Sequence, residues 1–416
     1  MPEINDIQIP GEYRADHAVV RTFSGEEIDI VLHIHQIVIY ENLFSPFLTV
    51  ELEVRDAIGL KNKIPFRGEE IITLTVTDTD GKYGLQDAVF SVYKMKDLVQ
   101  VSDRAFVYRL CCISIEAIMD MNLKISKAYS GQASDLIHTL VVDEGLETKK
   151  DVFIESTKNK VSYISNYWSP VKNIKYISDR AITKDGTSAS CLFYETKRGF
   201  AFTSLNNLVS AESVASYHFG VAGLNDVSKG LQRIEKVWID VGFDYIERLA
   251  SGAYGNRSLL VDPFNKTYNY GYYDFVDAFA KQNHLNPQSF STDSATRRLN
   301  SVFRTRSVPS RSFGSMKTEA SDQWFKQRIT ELGAINAFNI QIEVAGRMDV
   351  LVGQVVDVYL YSGQVPQDGA AKNDVNQVLD KVYSGRYLIT GIRHTMDKER
   401  HTMDLHLSKD SLVDIQ

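Results

Sequence analysis

At 416 residues and 47.0 kDa the chain is too long for one ordinary core, which points to two or three domains. With 44% hydrophobic and 24% charged residues it falls in the soluble globular class, and apolar runs such as Ile37–Tyr40 are far shorter than the roughly 18 residues of a membrane-spanning helix. A net charge of −7 argues against a protein that grips nucleic acid by neutralising phosphates.

Residues 1–10 carry Glu3 and Asp6 and lack the basic, apolar, small-residue order of a secretory signal, so the chain is expected to stay where it is made unless an assembly carries it out. The first 110 or so residues read as about five or six strands. Ile28, Ile30, Leu32 and Ile34 alternate with polar or smaller neighbours, as in a half-buried strand. After Gln36 the apolar phase slips to Ile37 and Ile39, which predicts a bulge or a crossing between sheets. Leu48, Val50, Leu52 and Val54 repeat the alternation, as do Ile72, Leu74 and Val76 before an Asp80-Gly81 turn. Tyr83–Tyr93 and Ala105–Ile115 complete a small β-barrel or sandwich. Three cysteines, two of them adjacent at Cys111 and Cys112, have neither a disulfide framework nor zinc spacing and read as buried small side chains.

From Met121 the period becomes helical. Leu136, Ile137, Leu140 and Val141 form one apolar stripe, and Ser169-Pro170 is an N-cap followed by proline at the first helical position, with Val171, Ile174, Ile177 and Ala181 inward. Two short strands, Ser190–Tyr194 and Phe200–Ser204, complete an α+β unit. Strand character returns over Gln232–Val241 and again where Tyr268, Tyr270 and Tyr272 alternate. Glu319–Leu332 reads as a helix with Phe325, Ile329 and Leu332 inward and Gly333 as its stop. Beyond it come a strand region Met348–Tyr361, a polar loop Ser362–Asn376, and a hairpin of Arg386–His394 and His401–Ser408 across Asp397-Lys398-Glu399. Met403, Leu405 and Leu407 are its core face. The predicted class is mainly β with an α+β insert: a first β-barrel over 1–120, an α+β domain over 121–225, and a second β-barrel over 226–416.

Charge is unevenly spread. Between Ser291 and Thr318 stand Arg297, Arg298, Arg304, Arg306, Arg311 and Lys317 against Asp293 alone, making that stretch +5 and the rest of the chain −12. The segment 283–318 reads as an extended arm. Solvated loop, nucleic-acid contact and docking strap onto an acidic neighbour are all open to it. The strap is preferred, because guanidinium groups suit bidentate pairing with carboxylates, and aromatic interleaving is limited to Phe303 and Phe313. Arg297, Arg298, Arg304, Arg306 and Arg311 are therefore the candidate interface residues.

Catalytic signatures are absent from the sequence. There is no glycine-rich phosphate loop, no Gly-x-Ser-x-Gly elbow, and the pairs Gly220/Gly223 and Gly252/Gly255 lack a dinucleotide context. His33 and His35 would share a strand face and could hold a cation, but no third ligand is visible, and they read as outer-face residues. A shared site of His394, His401 and His406 depends on a register that the sequence does not give. Neither catalytic nor metal residues nor a cofactor are expected. The Tyr268–Tyr273 run reads as strand packing, with a sugar-binding platform as its alternative.

The blocks Gly346–Val358 (GRMDVLVGQVVDV), Ser384–His394 (SGRYLITGIRH) and Thr402–Ser411 (TMDLHLSKDS) resemble the end of baseplate hub proteins of contractile phage tails, related to the hub portion of type VI secretion spikes. The upstream order is similar too: a barrel, a helix near Ser130–Val142, a Trp168-Ser169-Pro170 helix with two strands, and a second barrel. The resemblance implies tube-like barrels and a homotrimer, so that six barrels form a ring around a channel. One rim would receive the central spike, the other the tail tube or its initiator, with baseplate wedge proteins as further neighbours. DNA would be passing cargo only, and an acidic wall that repels phosphates fits that role. The implied place is the virion tail, assembled in the host cytoplasm without membrane insertion. The 283–318 arm has no counterpart in the resemblance, and no fused lysozyme or spike domain is recognised. The competing reading is a carbohydrate- or peptidoglycan-active β-rich tail protein that uses the tyrosine face.

Overall fold

Alternating apolar residues lay down the first half of the molecule. In the computed structural model, which describes residues 11–219, 231–239, 243–291, 301–308, 320–361, 379–398 and 400–413, the strands Ile34–Asn42, Thr49–Asp56, Phe106–Ser114, Gly84–Gln100, Ile71–Thr77, Arg14–Arg21 and Glu27–Asp29 lie side by side in that order, each antiparallel to the next. Val50, Leu52, Val54, Ile72, Leu74, Val76 and Leu110 are buried in one core, as period-two alternation requires. The phase slip after Gln36 is a bulge, with a register shift between Ile34 and Gln36 against Thr49–Asp56. The Ile28–Ile34 stretch departs from its reading as one strand. It breaks after Asp29 into a 3-10 turn, Val31–His33, which leaves Leu32 87% exposed, because the Asp29 carboxylate accepts from the Val31 N–H and closes a local turn. Cys111, Cys112 and Cys191 are all buried.

The insert follows the helical stripe. Ala133–His138 runs into a π turn, Thr139–Asp143, and buries Leu136, Ile137, Leu140 and Val141 against the helix Pro170–Ser178. Ser169 caps that helix by accepting the Lys172 N–H at 3.4 Å, with proline at its first position. A three-stranded sheet of Cys191–Thr196, Gly199–Ser204 and Asp151–Ile154 completes the insert.

The C-terminal half is again β, with Ile234–Trp238, Phe338–Ala345, His401–Lys409, Gly385–Asp397, Val355–Leu360 and Ser213–Phe219 in one sheet. Met403, Leu405 and Leu407 are almost fully buried within it. The strand read over Met348–Tyr361 is confined to Val355–Leu360, and Ser362–Asn376 lies outside the described residues. The helix near Glu319 spans Ser321–Ile335 and runs through Gly333. Gly333 is therefore no stop: a Cβ there would lie 3.1 Å from the Ala253 backbone, so its smallness serves close packing. The segment read as an extended arm contains a strand, Phe303–Ser307, parallel to Gly255–Asp262 in a small sheet with Thr267–Asp274.

The two β halves are not separate sheets. Ile34–Asn42 pairs antiparallel with Gly385–Asp397, from Asn42↔Gly391 to Gln36↔Asp397, so a single 13-stranded sheet crosses from the first core to the last. Side chains cross with it: Leu43 packs into the C-terminal core, and Met348 and Met396 pack into the N-terminal one.

Candidate functional site

Where the two halves and the insert meet, the sheet buries charge. Glu41 comes from Ile34–Asn42, Lys197 from the turn between Cys191–Thr196 and Gly199–Ser204, and His394 and His401 from the C-terminal hairpin. All four are buried. Lys197 Nζ forms an ion pair with Glu41 Oε1 at 2.6 Å, and it donates to Val350 O at 2.9 Å and to His394 Nε2 at 2.6 Å. With Nε2 accepting, His394 carries its proton on Nδ1 and donates to His401 Nε2 at 3.0 Å. His401 Nδ1 is buried with no partner among the described residues. Gly346 makes room for that ring, since a Cβ there would sit 2.1 Å from His401 Cγ.

Burial opposes ionisation of Glu41, but Lys197 and His394 outweigh it and hold the carboxyl down at about 2. Burial, then the Lys197 charge, pushes His394 down to about 4, and burial with the neighbouring His394 and Lys197 drives His401 well below its ordinary value. Burial pulls the Lys197 amine down as well, against Glu41. At 2.6 Å the two are held as an ion pair, with the His394 and His401 rings in line behind Lys197. Beside them Lys150 bridges Glu116 and Glu195, each at 2.7 Å, while Glu195 Oε2 accepts the Leu48 N–H at 2.8 Å. Both clusters tie the insert to the first half along a cleft of about 930 Å³ whose wall includes Tyr83, Lys150 and Arg198.

Ser188, Ser190, His284, Glu331 and Asp410 line one small cavity of about 30 Å³, but their geometry is not that of an activated nucleophile. His284 Nδ1 faces Asp410 Oδ2 at 2.6 Å and Nε2 faces the Phe279 carbonyl at 3.1 Å, so neither nitrogen is turned to a serine. Ser188 Oγ donates instead to Glu331, whose carboxyl burial pushes up. Among the described residues no group of three or more His, Cys, Asp or Glu is placed to hold a metal ion.

Of the candidate interface arginines, Arg297, Arg298 and Arg311 lie outside the described residues. Arg304 and Arg306 sit on the inner face of Phe303–Ser307, each half-buried against the helix Ser321–Ile335 rather than on a free loop, because strand geometry turns alternate side chains to one side. His33 stands in the 3-10 turn and His35 beyond it, so the two do not share a strand face. His394 and His401 do meet, while His406 is exposed on the other side of the hairpin. Tyr268, Tyr270 and Tyr272 form an outward row, 75%, 53% and 60% exposed, beside Phe303. Glu41 and Lys197 carry no local signal: each is one charged residue at a strand end or turn, where solvent exposure is the ordinary expectation.

No known family model matches the chain, and no curated protein matches it. Among solved structures, the tail protein from Neisseria meningitidis MC58 aligns with a TM-score of 0.55 at 13% identity, over 96% of this chain and 97% of that one. The 43 kDa tail protein of prophage MuSo2 from Shewanella oneidensis aligns with a TM-score of 0.51 at 9% identity, over 95% and 98%. The mainly β architecture expected from the periodicity of the sequence is thus the architecture found, and it is shared with these tail proteins over nearly the whole chain.

Proposed function

We propose that the chain, built on the fold of these tail proteins, is a structural hub of a contractile-tail baseplate. Two tube-like β halves flank the insert, and three copies close a ring that joins the central spike to the tail tube around the DNA channel. The observation that carries this reading is the end-to-end match to tail proteins of the same length class. Three features support it. Among the described residues Glu27–Asp29 ends the main sheet with an unpaired edge, which a neighbouring copy can extend. The deep charged cluster is buried, with Glu41 and His394 both held on Lys197. The acidic body would repel a passing duplex rather than hold it. Light scattering on the purified protein tests the assembly: a mass three times 47.0 kDa is expected, and a stable monomer at micromolar concentration contradicts it.

The outward tyrosine row supports a second reading, a carbohydrate-active tail protein with Tyr268, Tyr270 and Tyr272 as a sugar platform. Solubilisation of purified cell walls by the isolated chain, lost in Tyr270→Ala, would favour it over the hub.

A further inference from the structure

Between the insert and the small sheet lies a cleft of about 290 Å³ in which arginines from three separate segments converge. Arg180 follows the helix Pro170–Ser178, Arg304 and Arg306 come from Phe303–Ser307, and Arg328 from Ser321–Ile335. Arg328 is spent on the fold. It donates to the Ser178, Ala189 and Cys191 carbonyls and pairs with Asp179 at 3.1 Å. Arg304 lies over the Phe325 ring at 4.3 Å and gives one N–H to the Phe325 carbonyl, and Arg306 lies over Trp324 at 4.8 Å. Neither Arg304 nor Arg306 has a carboxylate in ion-pair range among the described residues, and the buried Arg306 Nε has no hydrogen-bond partner there. Burial and the adjacent Arg306 charge together push the Arg304 guanidinium below its ordinary value. Like charges are being held together in a partly dry cleft, an arrangement that an anion relieves.

We infer that this cleft is a recognition site for an acidic peptide segment of a second protein chain, whose Asp or Glu side chains pair with Arg304 and Arg306. Two arginines two residues apart on one strand face stand about 7 Å from each other, a spacing suited to neighbouring carboxylates, each met by a planar fork of donors. The aromatic floor of Trp324 and Phe325 holds the guanidiniums in place by stacking. A nucleic-acid strand is the poorer fit, since it would bring its continuous charge up to an acidic body and to the Asp179 carboxylate that lines the cleft. The site does not depend on the hub reading, because it is complete within one chain.

Titration of the full chain with a hexaglutamate peptide, followed by tryptophan fluorescence, tests the assignment. The expected result is a saturable signal change that hexaglutamine does not give and that weakens as salt rises from about 0.05 to 0.3 M. Binding should fall about tenfold or more in Arg306→Gln and also in Arg306→Lys, which keeps the charge and loses the fork. Competition in the unaltered protein provides a readout that does not depend on how the variants fold: a thymidine oligonucleotide should fail to displace the peptide at equal concentration. No saturable binding up to about 1 mM peptide, equal binding by Arg306→Gln, or displacement by the oligonucleotide would each overturn the inference.

Discussion

Lys197 is the residue on which three segments of the chain meet, and its removal is the sharpest probe of the junction. Lys197→Met leaves the Glu41 carboxylate buried without its cation, and an uncompensated charge of that kind costs about 3–5 kcal/mol. Urea unfolding should show the loss, and adding Glu41→Leu to the same chain should restore much of it; an unchanged midpoint in Lys197→Met would refute the buried pair. The imidazoles add a pH dependence. Both His394 and His401 are pushed below the ordinary 6.5, so below that pH the unfolded chain binds more protons than the folded one and stability falls with pH. For His394 the window runs from 6.5 down to about 4 and is worth about 3 kcal/mol, and Glu41 adds its own loss as pH drops from 4.5 toward about 2. Urea midpoints at pH 7 and pH 5 should therefore differ, and equal midpoints would mean that the histidines are not buried as neutral rings. Gly346→Ala drives a methyl into the His401 ring and should cost about 1–3 kcal/mol or more, read as a lowered melting temperature. Little of this was legible in advance. His394 and His401 could be singled out, but what joins them is a strand register, and Glu41 and Lys197 lie 156 residues apart with nothing local to mark them.

At the scale of elements, the join between Ile34–Asn42 and Gly385–Asp397 decides how the halves relate, because it makes one sheet out of two cores. The hairpin behind it is set by Met403, Leu405 and Leu407. Leu405→Asp would place an unpaired carboxylate in that core, and the expected outcome is aggregation or loss of cooperative unfolding; soluble protein with normal melting would contradict the register. Periodicity revealed most strands and the Ser169-capped helix, since each reports its buried face every second or every third to fourth residue. It even revealed the bulge at Gln36. It failed where a local bond beat the pattern, as at Asp29, which ends a strand inside an unbroken alternation. Gly333 misled for a related reason: glycine ends helices by adopting left-handed backbone, but here it admits the Ala253 backbone alongside the helix. The Arg304/Arg306 strand looked like an arm because its partner strand, Gly255–Asp262, is more than 40 residues away.

For the whole molecule, the fold follows tail proteins from end to end, while identity of 13% and 9% leaves partners to be found by experiment. Among the described residues Glu27–Asp29 leaves one end of the main sheet open, and large side chains such as Phe23, Leu32, Phe243 and Ile246 are exposed away from any core. Such edges and patches are costly on a free monomer and ordinary on a subunit that closes into a ring. The blocks Gly346–Val358 and Thr402–Ser411, on which the resemblance was read, include the strands Val355–Leu360 and His401–Lys409 in part and the glycine that makes room for His401. Electron microscopy of the purified protein tests the central claim most directly. Particles with threefold symmetry and a central hole are the expected result, and compact particles of single-chain size with no hole would contradict the hub.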